Sequence, residues 1–377
     1  MKRFFTLVIL LSAALKLFAA DTVSYRVREL EHWAFYGTQF PTVQIVASND
    51  RGVPKTLQLK CEILDCTGRS LYELMQFGTV NPKDSLDMSF SFKTLKPGFY
   101  NALFWSKGEI VKSVNICYEP EKILPISKSL SVDEVPEFSR DYTKMANLVS
   151  LDRRGHNPQF NLLRNKRLSG KEKNVYDFKM VSIDGKVVKG LVAFPKGKKG
   201  IPAMITFVPI ENKQENPLAD FTASAQMAEL VVYVAQRGEG EAYFKNLLAD
   251  IVLCIDFFAK REETDKSKIY AQGEGVGGAC AFLASTLDEG VAASFVAAPD
   301  FSRFVENFTV ESLAKKVSVP VLFGLGLQAR TSDLNDDFAI YNMTTSVKEY
   351  FIFPAMESVE RNRWKYIRDM FILRMGM

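Results

Sequence analysis

Apolar and polar residues alternate along residues 42–47, 56–64, 85–92, 98–105 and 110–118, the period-two pattern of half-buried strands. Turn-forming clusters separate these runs: Asn49-Asp50-Arg51-Gly52, Asn81-Pro82-Lys83-Asp84 and Pro97-Gly98. Short strands at this spacing predict an all-β sandwich, immunoglobulin-like in type, over residues 21–120. Pro120, Pro125 and Pro136 punctuate the chain beyond the last of these strands, and residues 121–137 read as a linker.

The pattern changes from residue 138. A polar helical stretch comes first, then a hairpin in which residues 176–183 and 186–194 flank the turn dipeptide Asp184-Gly185. Apolar strands at 202–208, 230–235, 268–272, 291–297, 319–326 and 347–353 then alternate with helical segments. Within residues 241–260, Phe244, Leu247, Leu248, Ile251, Val252, Ile255 and Phe258 share one helical face. Alternation of this kind predicts an α/β domain over residues 138–377, with a mostly parallel sheet between two layers of helix.

A length of 377 residues fits two domains, and 47% hydrophobic with 24% charged residues is ordinary for a folded chain. The first twenty residues stand apart. Lys2 and Arg3 precede an apolar run over residues 4–15, and Ala19 and Ala20 precede Asp21, the pattern of a secretory signal over residues 1–20. A buried N-terminal helix is the competing reading, favoured by Lys16 and by the bulk of Phe18. No Cys follows the run to carry a lipid, and no further apolar segment of membrane length occurs after Asp21. The expected location is secreted or periplasmic. Removing residues 1–20 takes away three cations, so the formal charge falls from +4 to +1. Dispersed charge close to neutrality argues against nucleic acid and anionic membranes as partners.

Five cysteines, Cys61, Cys66, Cys117, Cys254 and Cys280, give an odd count and no disulfide framework. One pair among Cys61, Cys66 and Cys117 is able to bridge in an oxidising compartment; Cys254 and Cys280 sit among apolar helix positions and read as buried thiols. The chain has two histidines, His32 and His156, too few for a zinc site. No metal and no cofactor is expected.

The chemically informative segment is Gly273-Glu274-Gly275-Val276-Gly277-Gly278, which joins a strand to a helix. Hydrolases with a nucleophile elbow place G-x-S-x-G on such a turn. Gly273 and Gly277 occupy the outer positions, and Gly275 stands where the serine belongs. The same six residues match G-x-G-x-x-G, with Asp300 about twenty residues on, the dinucleotide fingerprint. Against that alternative, several strands precede the turn, whereas a dinucleotide fold uses its first.

The second domain resembles the acetyl xylan esterases and cephalosporin-C deacetylases of the α/β-hydrolase fold. Their signature runs R-G-Q, then G-x-S-Q-G-G, then H-E; here it reads Arg237-Gly238-Glu239, then Gly273 to Gly278. The resemblance implies a triad aspartate after Gly326-Leu327-Gln328, where Ala329 stands, and a histidine within Pro354-Ala355-Met356-Glu357-Ser358-Val359, where Ser358 stands. It implies an oxyanion loop where Val208-Pro209-Ile210-Glu211-Asn212 occurs, leaving the Val276 backbone N–H as one donor. It also implies a homo-oligomer, and a polysaccharide or oligosaccharide as ligand. With Gly275, Ala329 and Ser358 at the nucleophile, acid and base positions, a pseudo-esterase is expected. The alternative is an active esterase using other residues, for which the candidates are His156, Glu274, Glu357 and Cys280. Asp333, Asp336 and Asp337 lie just beyond the missing aspartate and are candidates to replace it; the favoured reading is that they precede and cap a helix.

Overall fold

The computed structural model describes residues 23–28, 33–93, 95–124, 159–212, 226–235, 240–287, 290–301 and 313–376. The segment expected to be a secretory signal, most of the expected linker, both histidines and Arg237-Gly238-Glu239 lie outside the described residues. The chain divides into two compact units between Pro120 and Glu121.

Among the described residues, the first unit has eight strands: β1 (Val23–Val27), β2 (Ala34–Phe35), β3 (Thr42–Asn49), β4 (Lys55–Leu64), β5 (Ser70–Val80), β6 (Asp84–Ser91), β7 (Gly98–Ser106) and β8 (Glu109–Tyr118). They form a three-stranded sheet, β1-β3-β6, and a five-stranded sheet, β2-β8-β7-β4-β5. Alternation supplies the core: Val43 and Ile45 of β3 and Phe90 of β6 meet Leu59, Cys61 and Ile63 of β4 and Phe104 of β7. Strands β1, β2 and β5 were not legible in the sequence. None of the five cysteines forms a disulfide, so no bridge joins Cys61, Cys66 and Cys117. Burial pushes the Cys61 thiol up to about 12 and raises Cys117 as well.

Among the described residues, the second unit has nine strands: β9 (Phe160–Arg164), β10 (Lys173–Val181), β11 (Val187–Pro195), β12 (Ile201–Pro209), β13 (Ala228–Val234), β14 (Thr264–Gly275), β15 (Ala293–Pro299), β16 (Val321–Gly326) and β17 (Lys348–Phe353). Their order is β17-β16-β15-β14-β12-β13-β11-β10-β9. From β13 through β17 every pairing is parallel, whereas β9, β10 and β11 are antiparallel additions. The expected hairpin is β10–β11, with Gly185 at φ 77° in its turn. Helices α1 (Gly240–Ala259), α2 (Val276–Ala284), α3 (Thr331–Met343) and α4 (Arg361–Arg374) complete the described unit. One sheet face packs Phe207 and Ile205 against Phe244, Leu248 and Ile251 of α1 and Cys280 of α2. The other face packs Tyr270 and Phe295 against Trp364 and Phe371 of α4. The chain crosses from β13 back over β12 to β14, which makes the carboxyl ends of β12 and β14 a switch point where α/β sheets open a crevice.

Candidate functional site

Gly275 ends β14 and caps α2 with φ 60° and ψ −127°, a backbone that L-residues adopt only under strain. This is the strand-to-helix elbow on which a nucleophile is carried. The glycines around it divide into two kinds. A Cβ on Gly273 would lie 2.2 Å from the Gly277 carbonyl, and one on Gly277 would lie 2.0 Å from the Phe207 carbonyl oxygen. One on Gly278 would lie 2.6 Å from the Ala297 oxygen. Those three positions stay bare because helix, turn and neighbouring strands touch there. At Gly275 an added Cβ meets nothing within 4 Å. Crowding does not require glycine at 275, so a side chain has room there and none is present.

The positions implied by the resemblance come together around this turn. Ser358 Oγ donates a hydrogen bond to the Glu274 carboxylate, next to the elbow in sequence. Gly326, at the end of β16, is bare because the Glu357–Ser358 backbone lies on it, 2.3 Å from where its Cβ would be. The turn carrying Ala329 is tied to the same segment: Gln328 N–H donates to the Met356 carbonyl at 2.8 Å, and Gln328 Nε2 to the Pro354 carbonyl at 2.8 Å. Hydroxyl and carboxylate therefore meet where an imidazole is implied, and a methyl group stands at the position of its orienting acid. Val276 begins α2 immediately after Gly275, so its backbone N–H belongs to the first helical turn. The segment after β12 forms a short 3-10 helix, Ile210–Asn212.

Under the elbow runs a polar network that the sequence reading missed. Gln272 Nε2 donates to Thr206 Oγ1 at 2.7 Å, and Arg368 Nη1 donates to Gln272 Oε1 at 2.6 Å. Arg368 is 1% exposed, and its Nε and Nη2 both reach the Asp369 carboxylate. A crevice of about 20 Å³, room for about one water, lies between Gly273, Glu274, Trp364 and Arg368. The available signal was the spacing Trp364, Arg368, Phe371, which puts an arginine on the buried face of α4.

Two expectations need correcting. Asp333, Asp336 and Asp337 do not precede a helix; they lie within α3, and no side-chain hydrogen bond caps it. Asp337 is 4% exposed, and burial, helped by Asp333, Asp336 and Asp300, raises its carboxyl well above the ordinary range. The dinucleotide alternative also fares badly: the glycine-rich turn follows the sixth strand of its sheet, and backbone contact accounts for Gly273 and Gly278, the positive φ of the elbow for Gly275. Asp300 does approach the turn, but through its backbone N–H, which donates to the Gly275 carbonyl at 2.9 Å. Cys280 is buried in α2 with its thiol raised by desolvation, which keeps it protonated and unreactive. His156 lies outside the described residues. Among the described residues no cluster of His, Cys, Asp and Glu could hold a metal ion.

The model of the acetyl xylan esterase (AXE1) family matches residues 225–312, the stretch that carries β13, α1, the elbow and β15. No curated protein matches the chain in sequence. Among solved structures, the acetyl xylan esterase from Paenibacillus sp. R4 superposes with a TM-score of 0.56 at 19% identity, covering 68% of this chain and 98% of that one. Acetyl xylan esterase 1 from Thermoanaerobacterium sp. JW/SL YS485 superposes with a TM-score of 0.51 at 16% identity, covering 64% of this chain and 96% of that one. In sequence around the elbow, and in the α/β-hydrolase fold of its second unit, the chain resembles the acetyl xylan esterase family.

Proposed function

We propose that this protein is a non-hydrolytic relative of the acetyl xylan esterases, exported by its N-terminal segment, which binds an acetylated saccharide at the remodelled elbow. One observation carries the reading. The backbone at Gly275 keeps the strained elbow conformation and leaves open space above it, but offers no hydroxyl. Acyl transfer needs a nucleophile, a base to take its proton and an acid to orient that base. Glycine, serine and alanine at positions 275, 358 and 329 supply none of the three in its usual role, and loss of even one ordinarily lowers the rate by orders of magnitude. What stays is the open space above Gly275, with the Val276 N–H in the first turn of α2 and a polar Glu274–Ser358 pair next to the elbow. Those groups suit hydrogen bonding to an ester carbonyl and to sugar hydroxyls.

Calorimetric titration of the mature chain with acetylated xylo-oligosaccharide, with free acetate followed by NMR, tests this. Binding without acetate release is expected; no binding, or release of acetate, contradicts it. The Glu274–Ser358 contact is also the specific support for a second reading, residual hydrolysis with Ser358 as nucleophile and Glu274 as base. That reading predicts activity abolished by Ser358→Ala. The β-strand unit ahead of the hydrolase-like domain is proposed to act as an immunoglobulin-like module that adds a glycan or partner contact.

A further inference from the structure

The sheet face opposite α1 and α2 carries a second candidate site, far along the sheet from the elbow, on the antiparallel strands. Asn161 of β9 pairs with Lys179 of β10, and Lys179 pairs with Lys189 of β11. The next row on the same face is Leu163, Asp177, Leu191 and Val231. Tyr233 and Arg167 complete the wall of a concavity of about 530 Å³, within the usual range of ligand pockets. Lys179 and Lys189 are both exposed, and neither makes a hydrogen bond or ion pair among the described residues. Like charges directly opposite each other in an antiparallel pair destabilise it. Nothing in the packing of this face calls for two opposed lysines, and an anion seated between them removes the repulsion.

We infer that this face binds an acidic oligosaccharide built of uronate rings, with a ring carboxylate between Lys179 and Lys189. Charge complementarity selects the anion, and the rest of the lining selects the sugar. Leu163, 68% exposed, and Leu191 offer an apolar floor for the C–H face of a ring. Asn161, Asp177 and Tyr233 offer amide, carboxylate and phenol to hydroxyls. Asp177 sits one row from the lysines; its Oδ1 accepts from Asn165 Nδ2 at 2.9 Å, which leaves Oδ2 to accept from a sugar hydroxyl and places a negative charge beside the anion site. With Asp177 beside the two lysines, the face suits carboxylates spaced a ring apart, one of them between the lysines, better than the closely spaced charges of an acidic peptide. Burial and the neighbouring Asp177 raise the Tyr233 hydroxyl, which therefore stays a donor at neutral pH.

The test is calorimetric titration of the mature chain with a galacturonic acid trimer, and with xylotriose, inorganic phosphate and polyglutamate as comparators. The trimer is expected to bind at least about tenfold tighter than each comparator, the scale of one charge-assisted hydrogen bond. Lys179→Gln/Lys189→Gln is expected to lose at least about tenfold in affinity while its Tm stays equal or rises, because the repulsion is gone. Should the double variant fold poorly, Lys189→Gln alone is expected to weaken binding with an unchanged melt. Equal affinity for xylotriose, phosphate or polyglutamate, an unchanged affinity in the lysine variants, or no binding at all would overturn the inference. Acetylated xylo-oligosaccharide, the ligand proposed for the elbow, is expected to leave the uronate isotherm unchanged. Displacement would overturn a separate site, while failure of elbow binding alone leaves this one standing.

Discussion

A serine at position 275 would inherit a backbone with φ 60° and ψ −127°, and this decides what the native glycine does for stability. Any side chain there is strained, at about 1–3 kcal/mol, although nothing obstructs its Cβ. Gly275→Ser and Gly275→Ala are therefore expected to fold but to melt several degrees lower, about 2–4 °C per kcal/mol for a unit of this size. A serine form clearly more stable than the native chain in thermal melts would refute this. Gly277 is the contrasting case: its Cβ would collide with the Phe207 backbone, which cannot swing aside as a side chain can. Gly277→Ala is expected to destabilise by more than about 3 kcal/mol, or to prevent folding, as overpacking against backbone does. Comparable melts for the two alanine variants would contradict the distinction between a crowded glycine and a strained one.

Among the elements, α4 is the one on which the elbow leans. Its N-cap Glu360 accepts from the N–H groups of Asn362 at 3.0 Å and Arg363 at 2.7 Å, and its buried face brings Arg368 to Gln272. Arg368→Met removes the partner of a buried carbonyl, and a loss of about 1–3 kcal/mol is expected by denaturant titration. A neutral result would mean that the guanidinium merely fills space. These elements also show what the sequence can and cannot reveal. Strands β12 to β17 and helix α1 were legible because they are apolar runs or faces of the right period, bounded by glycine and charge. Strand β5 was not, because Leu71, Met75 and Phe77 put apolar residues on its exposed side and blur the alternation. The elbow was legible from its glycines, since the close contacts at Gly273 and Gly277 leave a mark in the sequence. The Arg368–Gln272–Thr206 network and the Lys179–Lys189 row were not. Each depends on register between strands or helices distant in sequence, and no local pattern encodes register.

For the whole molecule, burial of Asp337 gives stability a pH dependence whose sign is set. Its folded-state carboxyl is raised above the unfolded value, through burial first and then through Asp333, Asp336 and Asp300. The stability tied to its proton is fully present below about pH 4 and is lost as pH rises toward the folded value. Asp337→Asn is expected to raise Tm more at alkaline than at acid pH; an equal change at both would count against it. Along its length the described chain contains no helix long and apolar enough to cross a membrane. The central claim is the absence of hydrolysis at an esterase-like elbow. The direct measurement is acetate release from a small acetyl ester and from acetylated xylo-oligosaccharide, comparing the mature chain with Gly275→Ala and Ser358→Ala. The account predicts no turnover by the native chain or by either variant above the uncatalysed rate. Turnover that Gly275→Ala retains would contradict it, and its loss in Ser358→Ala would place the chemistry on the Glu274–Ser358 pair.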